Sequence, residues 1–121
     1  MKTQQVAERL VSLCRDQKNV AAIKELYAPN IVSTEMPWVP NMDVISKGKE
    51  AVTKKNVDWL ANIKTMHSST VSDPMVIGNH FTLKMTFDAT LQDESAYHIE
   101  ELCVYEVNSG KIVSEQFFYS M

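Results

Sequence analysis

The sequence predicts an α+β fold, three helices packed on a curved, mainly antiparallel sheet. Up to Ile63 apolar residues recur at helical spacing, and from Val71 onward they follow the period of strands. In the last third, two β-rich runs, Ala96–Val107 and Lys111–Tyr119, flank Asn108-Ser109-Gly110, a three-residue loop with Gly where a hairpin with a bulge needs positive φ.

The first helix is expected from Thr3, as N-cap, to about Lys18, with Val6, Leu10 and Cys14 as its stripe and Ala7, Val11 and Leu13 beside them. A second should start near Asn19, turn Val20, Ile23, Leu26 and Tyr27 inward, and end at Pro29, which cannot donate the next helical hydrogen bond. Ile31 to Glu35 is a short β-branched strand, stopped by the stiff Met36-Pro37-Trp38-Val39-Pro40 loop. The third helix runs from about Gly48 to Ile63, with Val52, Trp59, Leu60 and Ile63 inward. Val71 to Ile77 reads as a strand turned by Gly78-Asn79 into His80–Leu91, where Phe81, Leu83, Met85 and Phe87 share one face.

With Gln92-Asp93-Glu94 as the next loop, Met85 pairs with Glu101 and Phe87 with Ile99. With Val107 opposite Lys111, Tyr105 falls by Val113, Cys103 by Glu115, Glu101 by Phe117 and Ile99 by Tyr119, all on one face. That face is aromatic with two carboxyls set into it. The opposite face carries Leu102, Val104, Ile112 and Phe118 among His98, Glu100 and Glu106, as a sheet partly covered by a second subunit would.

One domain spanning residues 1–121 suits the length, which can bury a core without disulfides or metal staples. A net charge of −3 offers nucleic acid and anionic membranes nothing to hold, and no run is apolar enough for a signal peptide or a bilayer span. A cytoplasmic location is the expectation. Cys14 and Cys103 fall on different elements without CxxC or ligand-spaced His, so free thiols are expected. His67, His80 and His98 are scattered, and no metal site is expected. GxSxG, P-loop and GxGxxG patterns are missing from the sequence.

Leu26-Tyr27-Ala28-Pro29-Asn30-Ile31-Val32 before the first strand, Gly48-Lys49-Glu50-Ala51-Val52 opening the third helix, and Gly110-Lys111-Ile112-Val113-Ser114-Glu115-Gln116-Phe117-Phe118-Tyr119 at the end resemble the NTF2-like superfamily, and within it SnoaL-like domains. The resemblance implies a cone-shaped α+β barrel, often dimeric through its sheet, with relatives that include ketosteroid isomerases and polyketide cyclases. It puts Glu35 where the isomerases carry their carboxylate base and Glu101 where they carry the protonated acid of the oxyanion hole. Their tyrosine would fall near Val11, where Leu10, Val11 and Leu13 have no hydroxyl.

Glu35, Glu101 and Glu115 are the candidate catalytic groups, since a carboxyl in an apolar pocket is held toward its neutral form and can move protons near neutral pH. The alternatives are a surface position at the strand end for Glu35, and outward-facing pairing with Lys or Arg for Glu101 and Glu115. Trp38, Trp59, Met85, Phe87, Tyr97, Tyr105, Phe117 and Tyr119 are candidate pocket residues, with core filling as the alternative for Trp59. Tyr97, Tyr105 or Tyr119 could supply the missing hydroxyl, and Lys55, nearer the inward stripe than Lys54, could pair with a glutamate. The functional expectation is a cofactor-free isomerase or cyclase acting on a small apolar carbonyl compound. The alternative is a non-catalytic ligand-binding or dimerising module.

Overall fold

The structure, a computed structural model, describes residues 1–37 and 43–120. Helices α1 (Thr3–Arg15) and α2 (Asn19–Leu26) precede strands β1 (Tyr27–Thr34) and β2 (Ile45–Lys47). Helix α3 (Lys49–Ala61) follows, and then β3 (Ile63–Val71), β4 (Met75–Ile77), β5 (His80–Leu91), β6 (Ala96–Asn108) and β7 (Lys111–Ser120). The strands form one sheet in the order β2-β1-β7-β6-β5-β3, with β4 pairing beside β3 on β5.

All pairs are antiparallel except β1 with β7, which join the two ends of the strand sequence in parallel. The three helices pack on a mixed, mostly antiparallel curved sheet, as NTF2-like folds do. One expectation is corrected: the sheet is open, with β2 and β3 at its edges, so the barrel is not closed.

Local chemistry explains the boundaries. Thr3 is the first helical residue rather than the cap; Lys2 takes that place, and its backbone N–H donates to Gln5 Oε1 at 2.9 Å. Helix α2 stops at Leu26, because Tyr27 is already extended, so Pro29 lies inside β1 rather than ending the helix. It is tolerated there because the β1–β7 register is irregular between Tyr27 and Val32, where a missing donor breaks no ladder bond. Gly48 precedes α3 at φ +93°, a conformation that glycine takes without strain.

Of the inward set expected on α3, Val52 is fully buried, Trp59 and Ile63 are half-buried, and Leu60 is exposed. The strand expected over Val71 to Ile77 is displaced: α3 ends at Ala61 rather than Ile63, β3 already runs from Ile63 and ends at Val71, and only β4, after Ser72-Asp73-Pro74, falls within the expected span.

The β5–β6 register is as the loop length predicts, with Met85 opposite Glu101 and Phe87 opposite Ile99. The β6–β7 register differs by two residues. Asn108 pairs with Lys111 across a two-residue Ser109-Gly110 turn, both at positive φ, and a bulge at Val113 then sets Tyr105 opposite Glu115, Cys103 opposite Phe117 and Glu101 opposite Tyr119. A shift of two preserves the faces. The shorter turn also sets Ile112 opposite Val107 and brings it inside, against the expectation that it faces out.

The core lies between the helices and this inner face. Val6, Leu10, Ile23, Leu26 and Ile31 meet Phe81, Leu83, Cys103 and Ile112, and Phe81 stacks on Tyr105 with ring centroids 4.7 Å apart. Among the described residues no helix is long and apolar enough to cross a membrane.

Replacing Phe81 with Ala should cost about 3–5 kcal/mol, since a large buried ring leaves a void. Ile77→Ala, at a position 82% exposed, should change stability by about 0.5 kcal/mol or less. Urea denaturation of both variants checks the contrast.

Candidate functional site

Between the helices and the inner face of the sheet lies a cavity of about 340 Å³. Strand period two delivers its sheet wall: Met85 and Phe87 from β5, Tyr97, Ile99, Glu101 and Tyr105 from β6, and Glu115, Phe117 and Tyr119 from β7. Glu35, just past β1, and Lys55, Asn56 and Trp59 of α3 complete the polar end and the rim. From α1 only Leu10 and Cys14 line it. Every candidate residue named above from the sequence lies on this wall except Trp38, which falls outside the described residues.

The three carboxyls do not stand alike. Glu115 is 1% exposed and accepts from both sides: Tyr27 O–H donates a short hydrogen bond to Oε1, and Ser33 Oγ donates to Oε2 at 2.7 Å. Burial pushes its pKa up, while those two donors and Lys55 pull it down. Burial raises the Tyr27 hydroxyl well above its ordinary value, and Glu115 adds to this, so Tyr27 remains a donor.

Glu35 is held by charge. Lys55 Nζ lies 2.9 Å from its Oε1, and Tyr119 O–H donates to Oε2 at 2.9 Å. The side chains of Lys55 and Glu35 are 13% and 11% exposed, so this pair is largely shielded from water. Lys55 also donates to Ser33 Oγ at 2.6 Å and sits 5.3 Å from the centre of the Phe117 ring. Tyr27, Glu115, Ser33, Lys55, Glu35 and Tyr119 therefore form one continuous hydrogen-bonded chain.

Glu101 stands apart from that chain. Its hydrogen bond is a weak one from the Cys103 thiol, at 3.6 Å. Burial first, then the charge of Glu35 and that of Glu115, push its pKa up to about 7, against smaller opposing effects of Cys103 and Lys55. A carboxyl with that pKa exists in both protonation states near neutral pH, as an acid/base group must.

Trp59 Nε1–H donates to the Tyr97 oxygen at 3.3 Å, and the Trp59 ring meets Phe87 edge to face, centroids 5.0 Å apart. Tyr105 is buried in its stack with Phe81. Sequence reasoning missed two participants, Tyr27 and Ser33. Spacing alone puts Tyr27 on a helical stripe, whereas its β1 backbone aims it at Glu115. The three histidines are exposed, and among the described residues no group of three His, Cys, Asp or Glu is placed to hold a metal ion.

A family profile described as a SnoaL-like domain matches residues 1–119. The chain belongs to the SnoaL-like family. This SnoaL-like chain is 31% identical to a polyketide cyclase candidate of the same family from Mesorhizobium loti, with TM-score 0.89 over 98% of this chain and 100% of that one. A protein of ketosteroid isomerase-like fold from Catenulispora acidiphila, in complex with trimethylamine, shares 14% identity and a TM-score of 0.73 over 96% and 85% of the two chains. TerC, co-crystallised with polyporic acid, shares 9% identity and a TM-score of 0.79 over 98% and 91%. These last two share the fold alone. No curated protein matches the sequence.

The raised Glu101 pKa makes stability pH-dependent. Between pH 4.5 and about 7 the folded chain holds a proton that the unfolded chain has released, so stability is highest below that window and falls as pH rises through it. Glu101→Gln should therefore be more stable than the parent at pH 8, by at most about 3 kcal/mol, with the gap closing toward pH 4.5. Lys55→Met removes an ammonium that holds the Glu101 pKa down, so its carboxyl titration followed by carbon NMR should move further above 7.

Proposed function

We propose that the cavity takes a small apolar carbonyl compound and that Glu101 moves a proton at the carbon beside the carbonyl, an isomerase or cyclase reaction class. One observation carries this reading: Glu101 is a cavity-wall carboxyl whose one hydrogen-bond donor among the described residues is a thiol, poised near neutral pH, whereas Glu35 and Glu115 each accept from two strong donors. Glu35, Lys55 and Tyr119 then hold the charge that tunes it, and Glu115 with Tyr27 and Ser33 fixes the wall behind them. The apolar rings of Phe87, Phe117 and Trp59 suit a flat, largely hydrophobic molecule.

The test uses 2-tetralone, a bicyclic ketone with an acidic α-carbon, in heavy water. Proton NMR should show deuterium entering that carbon faster than in buffer, and Glu101→Gln should slow it by at least about 100-fold, the low end for a general acid/base. Glu100→Gln, on the opposite face, should retain the rate. Exchange at the buffer rate, or exchange undiminished in Glu101→Gln, overturns the reading. Binding of the ketone without exchange would favour the second reading, a ligand-binding module. The apolar contribution of α1, limited to Leu10 and Cys14 and without a hydroxyl, supports that reading.

We also propose a homodimer through the outer sheet face. Leu102 and Phe118 are opposite one another on β6 and β7 and are 45% and 43% exposed, an apolar pair that a second copy would cover. Sedimentation should give twice the chain mass for the parent and a shift to monomer for Leu102→Asp.

A further inference from the structure

Proton abstraction beside a carbonyl leaves negative charge on the carbonyl oxygen, so the site needs a donor for that oxygen. Most hydroxyls near the cavity are already committed. Tyr27 O–H donates to Glu115, Ser33 O–H to Glu115, and Tyr119 O–H to Glu35. Helix α1 offers none. Lys55 spends two of its three N–H bonds on Ser33 and Glu35 and faces the Phe117 ring besides.

Tyr97 is arranged differently. Its oxygen accepts from Trp59 Nε1–H at 3.3 Å, which occupies a lone pair and leaves the O–H to be given elsewhere. The ring is half-buried on the cavity wall, and its partner is itself fixed, with Trp59 set edge to face against Phe87 at 5.0 Å and at 66° to Tyr97. Tyr97 and Glu101 lie on one face of β6 with only Ile99 between them on that face, and both Glu101 and Glu35 are near enough to act electrostatically on the Tyr97 hydroxyl. A donor and an acid/base group thus stand along one wall.

We propose that Tyr97 donates its O–H to the carbonyl oxygen of the ligand, with Trp59 as the positioning residue that orients the phenol for this task. The proposal rests on the carbonyl-ligand reading above and assigns the oxygen end of that ligand. In the chemical step the Glu101 carboxylate takes the α-proton. The C–H electron pair becomes the new C=C bond, the C=O pair moves onto oxygen, and the Tyr97 O–H holds the oxyanion until the proton returns to carbon. A hydrogen bond to an oxyanion is stronger than one to a neutral carbonyl, so Tyr97 favours the charged state over bound substrate. The site therefore selects ligands whose oxygen is an acceptor at one end of an apolar body. An analogue with methylene in place of the carbonyl, such as tetralin, leaves the Tyr97 hydroxyl unmatched.

The experiment is the infrared carbonyl stretch of 2-tetralone bound to the full chain at pH 8.5, where Glu101 is ionised and cannot donate. The stretch should fall below its value in apolar solvent for the parent, and Tyr97→Phe should abolish the fall while weakening tetralone binding about 3- to 10-fold. Trp59→Phe keeps a ring against Phe87 but removes the N–H, and it should leave a smaller fall. A stretch that Tyr97→Phe does not change, or no binding of 2-tetralone to the parent, overturns the assignment. Because this readout needs no turnover, a stretch that responds to Tyr97 without deuterium exchange would sink the catalytic reading and leave Tyr97 as the oxygen anchor of a binding site. Exchange with an unresponsive stretch would do the reverse.

Discussion

Burying Glu115 is the constraint on which the rest of this architecture leans. A carboxyl removed from water must find its hydrogen bonds within the protein, and its donors come from Tyr27 and Ser33 on the first strand. Ser33 and Glu115 are register partners across the parallel β1–β7 seam, the one place where the two ends of the strand sequence meet. A slip there would strand a buried carboxyl and a buried hydroxyl together. The seam is aligned by polar satisfaction as much as by apolar packing, and Lys55 extends that alignment to α3.

The same logic separates the three carboxyls into two kinds. Glu35 and Glu115 each accept from two strong donors, Lys55 with Tyr119 and Tyr27 with Ser33. Glu101, two residues from Cys103 on the same face, meets only a thiol among the described residues. Among the described residues one ammonium, Lys55, serves three carboxyls around this cavity, and for Glu101, the one with the poorest partner, burial is what pushes the pKa up to about 7. The difference among these like groups arises from unequal solvation and needs no unusual residue type.

Much of this was legible from residue patterns because strand period two decides faces even where pairing is misplaced. Expecting Glu101 opposite Phe117, when it is opposite Tyr119, kept both on the inner wall. Lys55 was readable from its place near the α3 stripe. Strand β3 was not, because Lys64 to Thr70 is polar or small apart from Met66, and its strand identity comes from pairing with β5. The open edge of the sheet was likewise invisible, since closure depends on long-range geometry that no local run encodes. Tyr27 misled because Val20, Ile23 and Leu26 make it look like one more turn of helix. Its role follows from where the backbone leaves α2.

The bulge at Val113 reaches further than the local hairpin. Without it, inward positions on β7 would fall at even spacing from Ile112, and Glu115, Phe117 and Tyr119 would face away from the helices while Gln116 and Phe118 faced them. One extra backbone unit works as a phase shifter between a hydrophobic anchor and an ionisable site. Residue count between Ile112 and Ser114 is itself part of the site's chemistry.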